Sequence, residues 1–399
     1  MRKLTAKHTA RACYLGIITQ AVTNNLPPLL FLAFHTQFGV ALEQIGLLIS
    51  VNFVIQMVID SLGSALVDRI GCRKAMVLAH ACSAAGLAML GILPYLLPPF
   101  AGLLLSVGTS AVGGGLIEVL ASPIIDSLPG EEKEKAMGLL HSFYCWGHVA
   151  VVLLSTAYFA VLGVGAWRFL ALFWTLVPLA GGAMFLAVPL ASFDAMLHHA
   201  GLFTLAKNKL FWLFLLLMIC SGASEQSISQ WSSLFAEAGL NVSKSTGDLL
   251  GPCMFAVLMG ISRLLYGLFG KRLNTRRALL FCSLFCIGSY FLAIFSPQPL
   301  LALAGCAAAG FFVGVMWPGT LLLASAAIPG GGTLLFSLLA LGGDIGCAAG
   351  PGLVGLISGR LEAAGGAGAG LKMGLLAASA FPLLLATGCL LLRGYKRRS

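Results

Sequence analysis

Charge is what this chain has least of. Only 10% of its 399 residues are Asp, Glu, Lys or Arg, against roughly 25% in an ordinary soluble domain, while 59% are hydrophobic and the mean hydropathy is +0.96. No water-soluble fold can hide that much apolar surface, so a soluble enzyme, a nucleic-acid binder and a disordered protein are excluded first. Acids are scarcer than bases, 14 against 24. A phosphate-cradling Gly-Lys-Ser/Thr loop is missing, which argues against direct nucleotide-driven pumping. The 11 cysteines follow no ligand spacing: Cys282 and Cys286 stand four apart with no second pair nearby and read as small apolar packers. His198-His199 in the central polar stretch is too little for a metal site. No metal and no cofactor is expected.

What is present is a succession of apolar runs about twenty residues long or more, interrupted by short clusters of charge, Pro and Gly. Twelve are counted, at about 11–34, 43–67, 75–97, 100–127, 136–163, 166–190, 210–235, 247–270, 277–295, 299–327, 333–358 and 372–392. Almost nothing remains for an extramembrane domain, so function must sit inside the membrane. With the amino terminus in the cytoplasm, 19 of the 24 basic residues fall on the cytoplasmic side. Arg168, Lys244, Arg360 and Lys372 lie outside and Arg263 falls within a span. This positive-inside bias explains the net charge of +10 as topology and puts both termini in the cytoplasm of a multi-pass cell (plasma or inner) membrane protein. The first run, with Thr23, Asn24, Asn25 and Pro27-Pro28 in it, reads as a retained helix and not a signal peptide. The run Glu131–Lys135 reads as a solvated loop, and the glycines of 364–370 as a loose outer one.

The longest polar interruption, 191–209, predicts an N-terminal six-helix bundle (1–190), a central cytoplasmic linker (191–209) and a C-terminal six-helix bundle (210–399). Sliding one half on the other by 203 positions brings Arg69 onto Arg272, Arg73 onto Arg276, Lys74 onto Arg277, Asp60 onto Arg263 and His141 onto Asp344. Parallel repeats of this kind are a transporter architecture.

The stretch Gly63-Ser-Ala-Leu-Val-Asp68-Arg69-Ile-Gly71-Cys-Arg73-Lys74 resembles the signature loop of the major facilitator superfamily, and the twelve-span, six-plus-six plan extends the resemblance over essentially the whole chain. Gly63 permits close helix approach, Asp68 can cap or pair at a helix end, and Arg69, Arg73 and Lys74 hold the loop at the membrane surface. The second-half copy has Lys271 for the acid and Asn274 for the glycine. Gly222-Ala-Ser-Glu225-Gln226-Ser-Ile-Ser-Gln230-Trp231, Gly113-Gly-Gly-Leu-Ile-Glu118, His141-Ser-Phe-Tyr144 and Gly314-Val-Met-Trp-Pro318 resemble the fucose-permease-like sugar:proton symporters. Span one departs from some members, with Asn24-Asn25 in place of a coupling carboxylate. The Gly-Pro motif of drug antiporters is replaced in span five by Gly147-His148.

Charged groups in mid-membrane cost about 2.5–3.5 kcal/mol each on insertion scales, so each needs a reason. Glu118, after three glycines, is the candidate proton carrier, a role the resemblance also gives to an acid in this span; the alternative is a carboxyl permanently hydrogen-bonded to a neighbouring helix. Asp344 and His148 are further candidates for proton coupling, His148 being deeper in span five than His141. Glu225, Gln226, Gln230 and Trp231 combine acceptors, amide donors and an aromatic plate suited to sugar hydroxyls and an apolar sugar face, although Trp231 fits an aromatic belt equally well. Gln20, Asn24 and Asn25 line span one where Pro27-Pro28 should break the backbone ladder; polar glue between helices is the alternative. Trp317-Pro318 marks a bend that could aim an indole at solute. Asp60 and Arg263 read as gate locks, paired with each other or with other helix ends, beside the gating loop of Gly63, Asp68, Arg69, Gly71, Arg73 and Lys74.

The expectation is an all-α membrane protein of twelve transmembrane helices in two six-helix parallel repeats, the major facilitator fold. It is a secondary transporter working by alternating access on a small, sugar-like polar solute, with protons as the coupling ion in symport. The rival is a proton-coupled drug or metabolite exporter. An intramembrane enzyme lacks a paired nucleophile and base, and a solute receptor lacks a signalling domain. The partners expected are the solute and the lipid bilayer, with no nucleic acid and no obligatory protein.

Overall fold

The computed structural model describes residues 5–128, 131–190, 205–328 and 332–392, except for the side chains of 64, 65, 68, 131–138, 141, 271, 332, 333 and 363. Every regular element among the described residues is helical. Twelve are long and apolar enough to cross a membrane: α1 (Ala6–Phe38), α2 (Leu42–Gly63), α3 (Cys72–Leu96), α4 (Pro99–Asp126), α5 (Ser142–Leu162), α6 (Val164–Ala187), α7 (Lys209–Gly239), α8 (Lys244–Phe269), α9 (Thr275–Phe295), α10 (Pro299–Ala327), α11 (Leu334–Glu362) and α12 (Ala364–Leu391). The twelve apolar runs of the sequence coincide with these helices. In α1 the two prolines do what a missing N–H and a fixed φ dictate: Ala6–Asn25 gives way to a 3-10 turn at Pro27–Leu30 before Phe31–Phe38 resumes the α-helix.

Two local expectations are corrected. Glu131–Lys135 is not a loop but the start of the helix Glu131–Leu162, since Glu and Lys are good helix formers and a charged composition does not by itself mark a loop. Residues 364–370 are likewise helical, with a break at Gly366, whose φ is +77°. Their glycines serve contact and not looseness, since a Cβ at Gly370 would overlap the Ser358 carbonyl and one at Gly368 would meet the Ala238 carbonyl oxygen. Counting glycines cannot separate a loop from a crowded membrane helix.

Contacts group the chain into two compact units, Met1–Val40 with Val51–Met196, and Ala41–Ser50 with Leu197–Ser399. Of the expected linker, residues 191–204 lie outside the described residues, as do His198-His199 and the basic tail from Arg393. In the first unit α3 packs on α4 and α6, and α1 on α4, α5 and α6. In the second, α9 packs on α10 and α12, and α7 on α10, α11 and α12. The internal order is thus the same twice.

The repetition extends to single hydrogen bonds. Arg73 donates from Nη1 to the carbonyls of Phe185 (2.6 Å) and Leu186 (3.0 Å) and from Nη2 to Val188 (2.8 Å), capping the carbonyl end of α6. Arg276, 203 residues later, donates to the carbonyl of Cys389 (3.3 Å), which is itself 203 residues after Leu186. Cations at a helix C-terminus answer both the orphan carbonyls and the dipole. Helix α6 is interrupted at Thr175, whose hydroxyl donates to the Leu172 carbonyl (2.6 Å); α12 is interrupted at Ser379, whose hydroxyl donates to the Leu376 carbonyl (2.6 Å). Pro178 and Pro382 follow each by three residues, so both bends combine a hydroxyl with a missing N–H.

Helix contact within the units relies on small residues. Between α3 and α4 the match is reciprocal: Gly86 faces Ser110 and Gly113 faces Ser83, each so close that a Cβ would collide. Gly115 abuts the Gln56 carbonyl of α2, where an added methyl group would come within 3.0 Å of the oxygen. The three glycines before Glu118 therefore clamp α4 between α2 and α3, fixing where its carboxyl stands.

Candidate functional site

In the first unit, helical spacing lines up Gln20 and Asn24 on α1, and Asn52, Gln56 and Asp60 on α2, each four residues apart on one face. The two rows meet: Asn24 Oδ1 accepts from Asn52 Nδ2 (3.2 Å) and Gln56 Nε2 (2.9 Å), and Asn24 Nδ2 donates to Gln56 Oε1 (3.4 Å). All three amides are buried, so they supply one another with the partners that a lipid environment denies. One turn along α1, Gln20 Nε2 donates to Glu118 Oε2 at 2.6 Å. Glu118 is itself exposed, and a carboxylate oxygen of Asp60 lies within 4.8 Å of one of Glu118. Asn25 does not join this group; its amide turns back to the Ala21 carbonyl (2.9 Å). His148 is buried in α5, beside Gly147, which packs against Ile18 and Ala21 of α1. The side chain of His141 lies outside the described residues.

In the second unit the corresponding arrangement is an ion pair. Arg263 Nη2 lies 3.0 Å from Glu225 Oε2. Gln226 Nε2 donates to Glu225 Oε1 (3.4 Å), and Gln230 Nε2 to Gln226 Oε1 (3.1 Å). Arg263 thus pairs with Glu225 of α7, which is one helix away in the same unit and offers a carboxylate at contact distance. Trp231 is fully buried and donates its indole N–H to the Pro351 carbonyl (3.1 Å), so it is neither a belt residue nor an open aromatic plate. Trp317 lies against Gly343 of α11, where a Cβ would strike the ring, and Asp344 is the next residue, half-buried. Tyr290 of α9 donates to the Ser224 carbonyl (2.8 Å) and holds α7 in place beside Glu225.

The two units therefore present different electrostatics. One carries two acids close together with an amide donor; the other carries a neutralised acid–base pair at the foot of an amide ladder. Of the loop between α2 and α3, Gly63 packs on Val119, 3.0 Å from where a methyl group would stand, and Gly71 takes φ +81°, a conformation suited to glycine alone. Arg69 and Lys74 are exposed, Arg73 caps α6, and the Asp68 side chain lies outside the described residues. In the second copy Asn274 replaces the glycine turn by capping α9, its Oδ1 accepting from the Arg277 N–H (3.0 Å).

Sequence reasoning missed Asn52 and Gln56, although their four-residue spacing with Asp60 was there to be read. It also missed a half-buried cation: Lys244 Nζ donates to Ser233 Oγ (2.8 Å), Glu237 Oε1 (3.0 Å) and Asp248 Oδ1 (3.0 Å), while Ser233 donates to Asp248 (2.6 Å). This tripod ties α7 to α8 across two π-helical turns, Phe235–Gly239 and Leu249–Cys253.

Comparison with known proteins agrees with this architecture. No curated protein matches the chain in sequence. Among solved structures, the D-xylose-proton symporter superposes with a TM-score of 0.80 at 12% identity over 97% of each chain. A bacterial homologue of the human lysosomal transporter Spinster, in an inward-facing and occupied conformation, gives 0.79 at 16% over 96% of each chain. The E. coli fucose:proton symporter gives 0.62 at 16%, over 95% of this chain and 97% of its own. These identities speak for the fold alone. The family model of the Major Facilitator Superfamily, however, matches residues 12–351, and with twelve spans in two like-built units behind that match, the chain belongs to the Major Facilitator Superfamily.

Proposed function

We propose that this transporter is a proton-coupled symporter of a small, neutral, sugar-like polar solute, working by alternating access. The observation that carries the reading is the Gln20–Glu118 hydrogen bond with Asp60 at its side. Two carboxylates within 4.8 Å repel when both are ionised, and a proton taken up by one relieves the repulsion. Gln20 suits both states. Its amide N–H donates to ionised Glu118, and after rotation its carbonyl oxygen accepts from protonated Glu118, so the carboxyl is never left without a partner during loading and release.

The neutral Arg263–Glu225 pair and the Gln226–Gln230 ladder support a solute with hydroxyls and no net charge, because an ion pair already satisfied offers little to a free ion while amides exchange readily with hydroxyls. The symport assigned by name to the xylose and fucose proteins favours the same reading. In this proposal Asp344 and His148 assist proton movement, Gln20, Asn24, Asn25 and Trp317 belong to the solute path, and Arg263, Asp60 and the Gly63–Lys74 loop respond to the conformational change. Trp231 acts by holding α7 to α11. Residues 1–190 and 210–399 are the moving bundles, joined by a linker at 191–209, with both termini in the cytoplasm of the cell membrane. The proton is the only coupling species, and no cofactor takes part.

The test is reconstitution into liposomes containing a pH-sensitive dye, screened with sugars, sugar acids and amino acids. Solute-dependent acidification of the lumen, abolished by Glu118→Gln while solute binding survives, supports symport. Efflux of solute or drug driven by an opposing proton gradient, with no solute-dependent proton entry, transfers the protein to the exporters.

A further inference from the structure

We propose that Arg168 holds the phosphate of a membrane phospholipid, at the end of the first unit remote from Arg73. From Arg73 to Tyr95, α3 climbs 22 residues, about 33 Å at 1.5 Å each, which matches the roughly 30 Å hydrocarbon layer. Helix α6 runs the other way: its last carbonyls receive Arg73, and at its opposite end Gly91 of α3 abuts the Arg168 backbone carbonyl. Tyr95 and Arg168 therefore stand together at the second membrane boundary.

The chain builds a frame there. Trp167 Nε1 donates to Gln37 Oε1 (2.9 Å), and Gln37 Nε2 donates to the Tyr95 hydroxyl (3.1 Å). Tyr95 stacks on Trp167 with ring centroids 6.0 Å apart. The Arg168 Cζ lies 5.0 Å from the Tyr95 centroid and 5.1 Å from that of Phe169. These two rings fix the guanidinium plane, yet its N–H groups reach no hydrogen-bond acceptor and no carboxylate among the described residues, and Nε is buried without one. A cation in the first turn of a helix also opposes the dipole, so the two rings hold the guanidinium while no anion among the described residues answers its charge. The neighbouring surface is apolar and outward: Phe169 is 57% exposed and Leu96 72%. A planar fork of donors matches a phosphate oxygen pair, and the apolar rim identifies the bearer of that phosphate as a lipid whose chains lie along Leu96 and Phe169.

The test uses the purified full-length protein in detergent micelles doped with phosphatidylglycerol, with a glucosyl diacylglycerol of the same chains but no phosphate, or with soluble glycerol phosphate, reading bound lipid by native mass spectrometry. Phosphatidylglycerol should be retained over the glucosyl lipid. Arg168→Gln should weaken its binding about tenfold, the lower range for losing charge-assisted hydrogen bonds, and Arg168→Lys less. Tyr95→Leu with Phe169→Leu, which leaves the cation in place, should weaken it about threefold and decides the matter should Arg168→Gln not yield folded protein. Equal phosphatidylglycerol binding by all variants overturns the site. Equal occupancy by glycerol phosphate at matched concentration overturns the lipid assignment.

Discussion

Removing Arg263 tests whether the pair on α7 and α8 is a coupled unit. Its side chain is 26% exposed and that of Glu225 8%, so the pair lies between a surface ion pair, worth about 0–1 kcal/mol, and a fully buried one, where deleting a single partner costs about 3–5 kcal/mol. Arg263→Gln leaves the more buried member charged, with Gln226 at 3.4 Å as a weak donor, and should cost about 2–3 kcal/mol. Glu225→Gln leaves the more exposed member, which water can reach, and should cost about 1 kcal/mol. In the double variant the two amides satisfy each other, so its loss should fall short of the sum by about 1–2 kcal/mol. Denaturant unfolding can be followed with a thiol-reactive dye, because the described cysteines are free and none is exposed; labelling then reports opening of the fold. Additive losses, within about 0.5 kcal/mol, would refute the coupling and reduce the pair to coincidence of position.

Glu118→Gln should lower proton-driven solute accumulation by about 100-fold, the usual lower bound for losing a positioned proton carrier, while solute exchange without a gradient continues; loss of both would move Glu118 into the fold's scaffolding. Arg73→Met removes three hydrogen bonds from one cation to the end of α6 and should destabilise by about 2–3 kcal/mol, with Arg73→Lys restoring part, as measured by the same unfolding assay. Gly113→Leu should yield no folded protein, since a side chain there enters the α3 backbone, whereas Gly165→Leu, with open space around its Cβ position, should change stability by less than about 0.5 kcal/mol. Expression and size-exclusion profiles distinguish them.

The spans were legible because lipid imposes a length and a composition that twenty-residue windows reveal. The repeat was legible at Arg73 and Arg276, where the charge persists. It was hidden at Thr175 and Ser379, where a hydroxyl and a proline three residues on carry the bend in two different residue types, and where the offset drifts from 203 to 204. Gln20, Asn24 and Glu118 could be singled out because polar groups are costly in lipid, but which of them meet depends on helix rotation, which a sequence without the fold does not specify. Trp231 is the instructive failure: an indole near a helix end fits a belt, and only the proximity of Pro351 reveals that it is an interior strut.

The glycines of α11 have a mechanical consequence. Gly342, Gly346 and Gly350 recur every fourth residue and lie on Leu215, Ile219 and Ala223 of α7, so near that any Cβ would overlap them. At Gly346 and Gly350 the joint is backbone on backbone, with no rotamers to readjust, so whatever displaces α7 carries α11 with it, and Glu225, Gln226 and Asp344 travel as fittings on one plate. Re-tooling the protein for another solute then becomes a matter of exchanging fittings: polar positions can be varied, Glu225 together with Arg263, while the stripe beneath them has to be left as it is.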